Sequence, residues 1–457
     1  MLSEQKLDND NYLTNSNLDL ENSAEIRNKI MELISQYAED VHSKKPFIPG
    51  KSSIPVSGRV FGGKEIQMLV SSSLDFWLTT GRFNEEFEKR LGKFLGVKFV
   101  ITTNSGSSAN LLALSSLTSE QLGEKSLKPG DEVITVAAGF PTTVNPILQN
   151  NLIPIFIDVQ IPSYVIDENL IEENITKKTK AIMIAHTLGN AFNIKKITDI
   201  ARKHNLWLIE DCCDALGTTY GEKFVGTFGD LSTLSFYPAH HITMGEGGAV
   251  LTNNPQLKRI VESFRDWGRD CYCPTGKSNT CGKRFEWKLG DLPFGYDHKY
   301  TYSHVGYNLK ITDMQAAIGL AQLDRLPEFI KIRKENFELL YSGLSSFEKF
   351  LILPSSSENC KPSWFGFPIT VKDNIPFSRE SLVNYLTSKL VDTRPIFAGN
   401  LIKQPYFKNK IFRTSKTLSN TDKIMNQSFW IGVFPGLSKD MLEYTIKQFE
   451  TFIMENR

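Results

Sequence analysis

The residues best able to do chemistry in this chain fall in four short stretches. TTNSGSSAN, residues 102–110, places a Ser/Gly turn between an apolar run ending at Thr102 and a helical pattern through Leu111, Leu112 and Leu114. Such a turn offers backbone N–H groups and hydroxyls at the positive end of a helix dipole, which suits a phosphate and equally makes an ordinary helix cap. LIEDCCDALG, residues 208–217, sets Asp211 at the end of an apolar run. In an open α/β sheet that end faces ligands, so Asp211 either holds a protonated ring nitrogen or caps the next helix. LSFYPAHHITMGEGGAV, residues 234–250, carries His240 and His241 ahead of a Gly-rich turn. An imidazole there can move a proton near neutral pH, whereas His241 defaults to a structural histidine. Last, Cys271, Cys273 and Cys281 form C-x-C-x7-C, with 57 residues between Cys213 and Cys271. Four thiolates suit structural zinc or an iron–sulfur cluster, and spacing alone does not choose. Cys213 follows Asp211 by two residues, so a metal it bound would sit near whatever Asp211 holds. Cys212 and Cys360 read as ordinary residues.

Positioning these groups requires strands that end at them. Phe99–Thr102, Val133–Val136, Ile155–Ile157, Ala181–Ile184 and Leu206–Ile209 are short apolar runs, separated by helical stretches such as Ile194 to His204. That alternation predicts a mainly parallel sheet buried on both faces. Residues 1–58 read as a loose polar segment to about residue 23, a helix capped by Ser23, and an extended, proline-punctuated connector. Residues 59–330 form the large domain, with the cysteine loop at 271–281. A long helical pattern from Asp313 to about Phe337, bent at Pro327, leads into a smaller domain at 331–457.

The totals exclude several classes. Lys plus Arg is 52 against 51 for Asp plus Glu, a net charge of +1, which provides no basic field for nucleic acid and no charged block for a membrane surface. No apolar run is long enough for a membrane helix and no signal peptide is visible, so a cytoplasmic, reducing setting is expected, where cysteines serve metals or catalysis.

Together and in this order, the first three stretches resemble the fold-type I enzymes of pyridoxal phosphate, in particular the nucleotide-sugar aminotransferase and dehydratase group (DegT/DnrJ/EryC-like). Further matches are GDEVIT…AGF (130–140), YGEKFVGTFGD (220–230) and VGYNLKITDMQAAIGLAQLDRL (305–326). The resemblance implies a mainly parallel seven-stranded sheet plus a smaller C-terminal α+β domain. It also implies that Gly106, Ser107 and Ser235 hold the cofactor phosphate, Phe140 stacks on the pyridine ring, and Asp211 pairs with the ring nitrogen. Asp214 would lie near the ring hydroxyl, and Asn308 would reach the phosphate from the partner subunit of a homodimer. In the aminotransferases of the group the segment reads Ser-Phe-x-Pro-x-Lys, and the lysine attaches the cofactor covalently. Counting from Ser235, Phe236 and Pro238, that position is His240 here. Imidazole cannot make the attachment, so the cofactor would be held non-covalently.

His240 and the four cysteines together narrow the resemblance to the CDP-4-keto-6-deoxy-D-glucose 3-dehydrase family. That family uses pyridoxamine 5'-phosphate (PMP, the amine form of PLP) and a [2Fe-2S] cluster to make 3,6-dideoxyhexoses. The implied ligands are Cys213, Cys271, Cys273 and Cys281, and the implied partner is a separate NADH-dependent flavin and iron–sulfur reductase. His240 would move the proton at the cofactor's C4′ carbon, and Arg394 would meet the nucleotide diphosphate, because guanidinium matches phosphate geometry. Three other readings stand beside it: a cluster-bearing relative acting on a dTDP-4-keto-2,6-dideoxyhexose, a glutamate-coupled 3-dehydratase that needs no cluster, and a non-catalytic protein binding zinc and PLP.

Overall fold

The structure, a computed structural model, describes residues 20–43, 45–273 and 275–457. Its centre is a sheet whose seven long strands are β1 (Phe99–Thr103), β2 (Glu132–Val136), β3 (Ile153–Ile157), β4 (Thr179–Ala185), β5 (Trp207–Asp211), β6 (Leu231–Ser235) and β7 (Gly248–Thr252). Their order is β1-β7-β6-β5-β4-β2-β3, and the two-residue strand Arg413–Thr414 adds an eighth beside β3. Neighbours are parallel except at β7, which runs antiparallel to both β1 and β6. The expected seven strands are therefore present, with one short addition from the C-terminal part of the chain.

The reason for the parallel sheet is visible in burial. β2, β6 and β7 are buried at every position, as expected for strands covered on both faces by crossover helices. The helix Ile194–Lys203 falls where its periodicity placed it, with Asn193 accepting from the Lys196 N–H as its cap. β6 and β7 flank the histidine stretch and overlap its two ends, a pair of strands absent from the apolar runs named above. β5 extends past Ile209, so Asp211 is its last residue.

The first described helix runs Leu20–His42, so Ser23 lies inside its first turn and is not its cap. The rest of the segment expected to be loose lies outside the described residues. The long helix continues beyond Phe337, spanning Asp313–Leu344 with Pro327 inside it. Its first half packs into the large core through Ala316, Leu320, Leu326 and Phe329. Its second half, through Phe337, Leu340 and Leu344, packs into a separate core. That core covers a three-stranded antiparallel sheet of Leu351–Ile352, Gly366–Val371 and Ser428–Gly432, backed by helices Arg379–Ser388 and Lys439–Glu455.

One carboxylate ties the start of this bridging helix to the wall that carries the cysteine loop. Asp313 is buried; its Oδ1 accepts from the N–H groups of Gly81 (2.9 Å) and Asn84 (2.8 Å), and Oδ2 accepts from Phe83 (3.2 Å). These donors open the helix Arg82–Leu95, so a negative charge caps a helix N-terminus from another element. The preceding turn holds the cysteine loop: Thr80 Oγ1 is 2.9 Å from Thr275 Oγ1, and the Trp77 ring lies against Gly276 so closely that a Cβ there would meet it at 2.7 Å. Asp313→Ala leaves three buried donors unpaired and is expected to cost about 3 kcal/mol of stability, measurable by urea unfolding. An unchanged midpoint would show that water replaces the carboxylate.

Candidate active site

The carboxyl ends of the parallel strands open into a cavity of about 430 Å³, the place where such sheets bind ligands. Its lining includes Gly106, Ser107, Phe140, Asp211, Cys213, Asp214, Ser235, His240 and Arg394. Nine of the residues singled out in the sequence thus converge on one space, although they come from strand ends and loops far apart in the chain.

One side is the start of the helix Gly106–Ser116. Ser105 caps it, its Oγ accepting from the Ser108 N–H. Gly106 is required by close approach: a Cβ there would lie 2.4 Å from the Cβ of Ser235 at the end of β6. The helix therefore points its unpaired first-turn N–H groups into the cavity beside two serines, Ser107 and Ser235. That donor set fits a phosphate.

The floor is Asp211. Its Oδ2 accepts from Asn110 Nδ2 (2.8 Å) and Thr143 Oγ1 (2.7 Å), and Oδ1 accepts from the Cys213 N–H (3.1 Å). Thr233 Oγ1 donates to Asn110 Oδ1 (2.6 Å), which turns the amide NH₂ of Asn110 toward Asp211. An ionised carboxylate has about four acceptor positions, and three are filled, leaving one for a ring N–H in the cavity. Phe140, exposed, stands over the cavity with Phe397 edge-on to it at 6.0 Å. A phosphate cradle, a ring acceptor and an aromatic cover together fit the pyridoxal phosphate group. Sequence reasoning missed both Asn110, the last residue of the 102–110 stretch, and Thr143, three residues beyond the 130–140 motif.

His240 lies on the opposite wall, its ring 5.2 Å from that of Phe365 and tilted by 32°. Its Nδ1 is buried without a hydrogen bond and is 3.7 Å from Asp214 Oδ1. Burial above all pushes the imidazole down to about 4; the Asp211 charge opposes this and the Arg333 charge adds to it. Burial and the neighbouring Asp211 charge push Asp214 up to about 7. His240 is therefore an uncharged base at neutral pH, with a proton-holding carboxyl beside it. Asp214 was expected near a ring hydroxyl; its observed neighbours are His240 and the Leu188 N–H, which it accepts at 3.3 Å.

His241 is buried and its Nε2 is 2.8 Å from the Ser363 carbonyl, a structural role as expected. Asn308 is exposed and lies outside the lining of its own chain's cavity. Arg394 sits at the rim with its guanidinium half-exposed. The 220–230 motif is not part of the cavity wall: Gly226, Phe228 and Gly229 donate their N–H groups to Glu210, which also meets His186.

The cysteines divide. Cys271 and Cys273 interact with each other, and Cys273 also with Thr280 and the Cys281 backbone; burial pushes its thiol up, but these hydrogen bonds outweigh that and set it at about 7. Cys281 Sγ is 3.4 Å from His298 Nε2. Cys213 instead borders the cofactor cavity, where burial and the charges of Asp211 and Asp214 hold its thiol well up. Among the described residues no three of these four thiols gather within 4.8 Å of one another, although Cys273 is easily ionised. Cys212 and Cys360 are buried in the apolar core, and the Cys212 Sγ lies within 4.8 Å of the ligand atoms of His186 and Glu210.

The His240–Asp214 pair has a measurable signature. Between about pH 6.5 and 4 the pair carries one proton in both states, on Asp214 when folded and on His240 when unfolded, so it adds little slope to stability. His240→Asn leaves a carboxyl with a raised folded value, so stability should rise, relative to the parent, as pH falls from about 7 to about 4. Asp214→Asn leaves an imidazole with a depressed folded value, so stability should fall as pH drops from about 6.5 to about 4. The limiting slope is about 1.4 kcal/mol per pH unit. Unfolding midpoints of cofactor-free protein across this range check it, and identical slopes in all three proteins would contradict the two displaced titrations.

With this geometry in place, comparison with known proteins is informative. Residues 61–450 match the model of the DegT/DnrJ/EryC1/StrS aminotransferase family. The chain is 64% identical over 427 residues to lipopolysaccharide biosynthesis protein RfbH of Salmonella typhimurium, covering 93% of this chain and 98% of that one. It is 47% identical to dTDP-4-dehydro-2,6-dideoxy-D-glucose 3-dehydratase of Saccharopolyspora spinosa, over 94% and 93% of the two chains. Among solved structures, the E. coli GDP-4-keto-6-deoxy-D-mannose-3-dehydratase with bound hydrated PLP superposes with a TM-score of 0.78 at 28% identity, covering 86% of this chain and 98% of that one. The fold is that of the fold-type I PLP enzymes, and the chain belongs to the DegT/DnrJ/EryC1/StrS aminotransferase family.

Proposed function

We propose that this protein is a nucleotide-sugar 3-dehydratase that uses pyridoxamine phosphate and a [2Fe-2S] cluster to remove the C3 hydroxyl of CDP-4-keto-6-deoxy-D-glucose. The observation that carries the reading is His240: an uncharged imidazole stands in the position of the aminotransferase lysine, in the same cavity as the phosphate cradle and Asp211. A base that cannot attach the cofactor favours elimination over transamination. Two relatives named as 3-dehydratases support the reaction class. The sequence similarity to a lipopolysaccharide biosynthesis protein supports a product destined for surface polysaccharide.

When bound, the cofactor supplies an amine for the sugar's C4 ketone and a ring that accepts an electron pair. The chain's own residues do the rest. Gly106, Ser107 and Ser235 hold the phosphate, and the free acceptor position of Asp211 keeps the ring nitrogen protonated. His240 takes the proton at the cofactor's C4′ carbon, with the Asp214 carboxyl 3.7 Å from its Nδ1. Phe140, Phe365, Phe397 and Trp430 line the cavity and limit water. Arg394 at the rim takes the nucleotide diphosphate. Overall, a C3–OH bond becomes C3–H with release of water, which consumes two electrons and two protons. Cys213, Cys271, Cys273 and Cys281 would hold the cluster, whose chemistry is one-electron transfer, and NADH with a separate flavin and iron–sulfur reductase would be the electron source. The exposed Asn308 would complete a neighbouring copy's phosphate site in a homodimer.

The test is anaerobic turnover of CDP-4-keto-6-deoxy-D-glucose with NADH and a matching reductase, followed by mass spectrometry. NADH-dependent loss of the C3 oxygen is expected, and His240→Asn should reduce it by about 10²- to 10⁴-fold. Undiminished turnover in that variant would remove His240 from the mechanism. Matched iron and acid-labile sulfide in purified protein are expected; stoichiometric zinc without colour would overturn the cluster. Preference for the dTDP-4-keto-2,6-dideoxy sugar would instead favour the activity named for the Saccharopolyspora spinosa relative.

A further inference from the structure

Arg333 is the bulkiest fully buried side chain among the described residues, 1% exposed in the middle of the bridging helix. Among the described residues no carboxylate lies within ion-pair distance of it. Its partners are main-chain carbonyls: Nη1 donates to Trp364 (3.1 Å) and Phe365 (3.3 Å), and Nη2 donates to His240 (3.2 Å). Its Nε has no partner and faces a small cavity behind the histidine loop, lined also by Pro238, His240 and His241.

A buried guanidinium with no ion-pair contact, felt only by the more distant Asp214, is a costly choice, since an apolar side chain of similar volume packs there with no desolvation penalty. What an apolar residue lacks is the planar fork, which can grip two peptide segments at once. Here the segments are the loop that carries His240 and the stretch that leads into the small-domain strand at Gly366. The second stretch holds Phe365, against which the His240 ring rests, and Ser363, whose carbonyl faces His241. Trp364 is fixed in turn by stacking on Phe337 of the same helix, with ring centroids 4.2 Å apart and planes 1° from parallel.

We propose that Arg333 is a positioning residue that clamps the His240 loop to residues 364–365, setting the imidazole's place against Phe365 from both domains at once. The proposal rests on His240 being the proton-moving group, and it acts through that residue alone. Displacing a reacting group by about 1 Å costs on the order of 10²-fold in rate. Arg333→Met should therefore lower kcat about 30- to 100-fold while KM for the nucleotide sugar changes less than about threefold. Arg333→Lys, which keeps one donor but not the fork, should recover part of that loss and guards against a misfolded Met variant.

Two further measurements separate this from a general packing role. In a His240→Asn background, Arg333→Met should cost nothing more, because there is no longer an imidazole to place. In protein without cofactor, hydrogen–deuterium exchange should speed up in peptides covering 236–241 and 363–366, with other segments unchanged. An additional loss in the His240→Asn background, equal losses in kcat and binding, or unaltered exchange in both peptides would each overturn the clamp. Absence of dehydratase activity in the parent protein would refute the proposed function, while the exchange experiment would still decide whether Arg333 joins the two segments.

Discussion

The site is organised around a buried carboxylate at a strand end. Asp211 accepts from a side chain on each of two helices and from the peptide that follows it, and Thr233 of the adjacent strand fixes the orientation of one donor. Burying that charge is tolerable only with such a set of donors. The consequence is that both helix starts and the end of β6 are held in register around the cavity, so the phosphate cradle and the ring acceptor are placed by the same contacts.

After burial, the same charge is the next influence on the protonation of its neighbours. It raises Asp214 and Cys213 and opposes the desolvation that keeps His240 uncharged. Burial is the largest cause at both Asp214 and His240, with Asp211 also raising the carboxyl and Arg333 also lowering the imidazole. A base and a proton-holding acid can then coexist 3.7 Å apart at neutral pH.

Away from the cavity, two carboxylates do structural work of a similar kind. Asp313 gathers the N-terminus of a helix that leads to the cysteine loop, and Glu210 gathers the turn at 226–229. Both serve as acceptors for backbone N–H groups that would otherwise be buried unpaired. The motif at 220–230 is explained by that requirement, since the turn must bring several N–H groups to one side chain.

By itself the sequence determined the sheet and its active end. Continuous apolar runs dictate strands buried on both faces, and polar groups placed directly after such runs must emerge at one edge of a parallel sheet. For that reason Gly106 and Asp211 drew attention at the ends of apolar runs, whereas Ser235 and the meaning of the His240 position came from the family resemblance. What only the tertiary structure decided is pairing across distance. Nothing in the spacing shows that Asp214 turns to His240, that Asn110 and Thr143 share Asp211, or that an arginine 93 residues away holds the histidine's carbonyl. These contacts depend on how the bridging helix and the small domain close over the sheet, a three-dimensional packing that leaves no periodic trace in the chain.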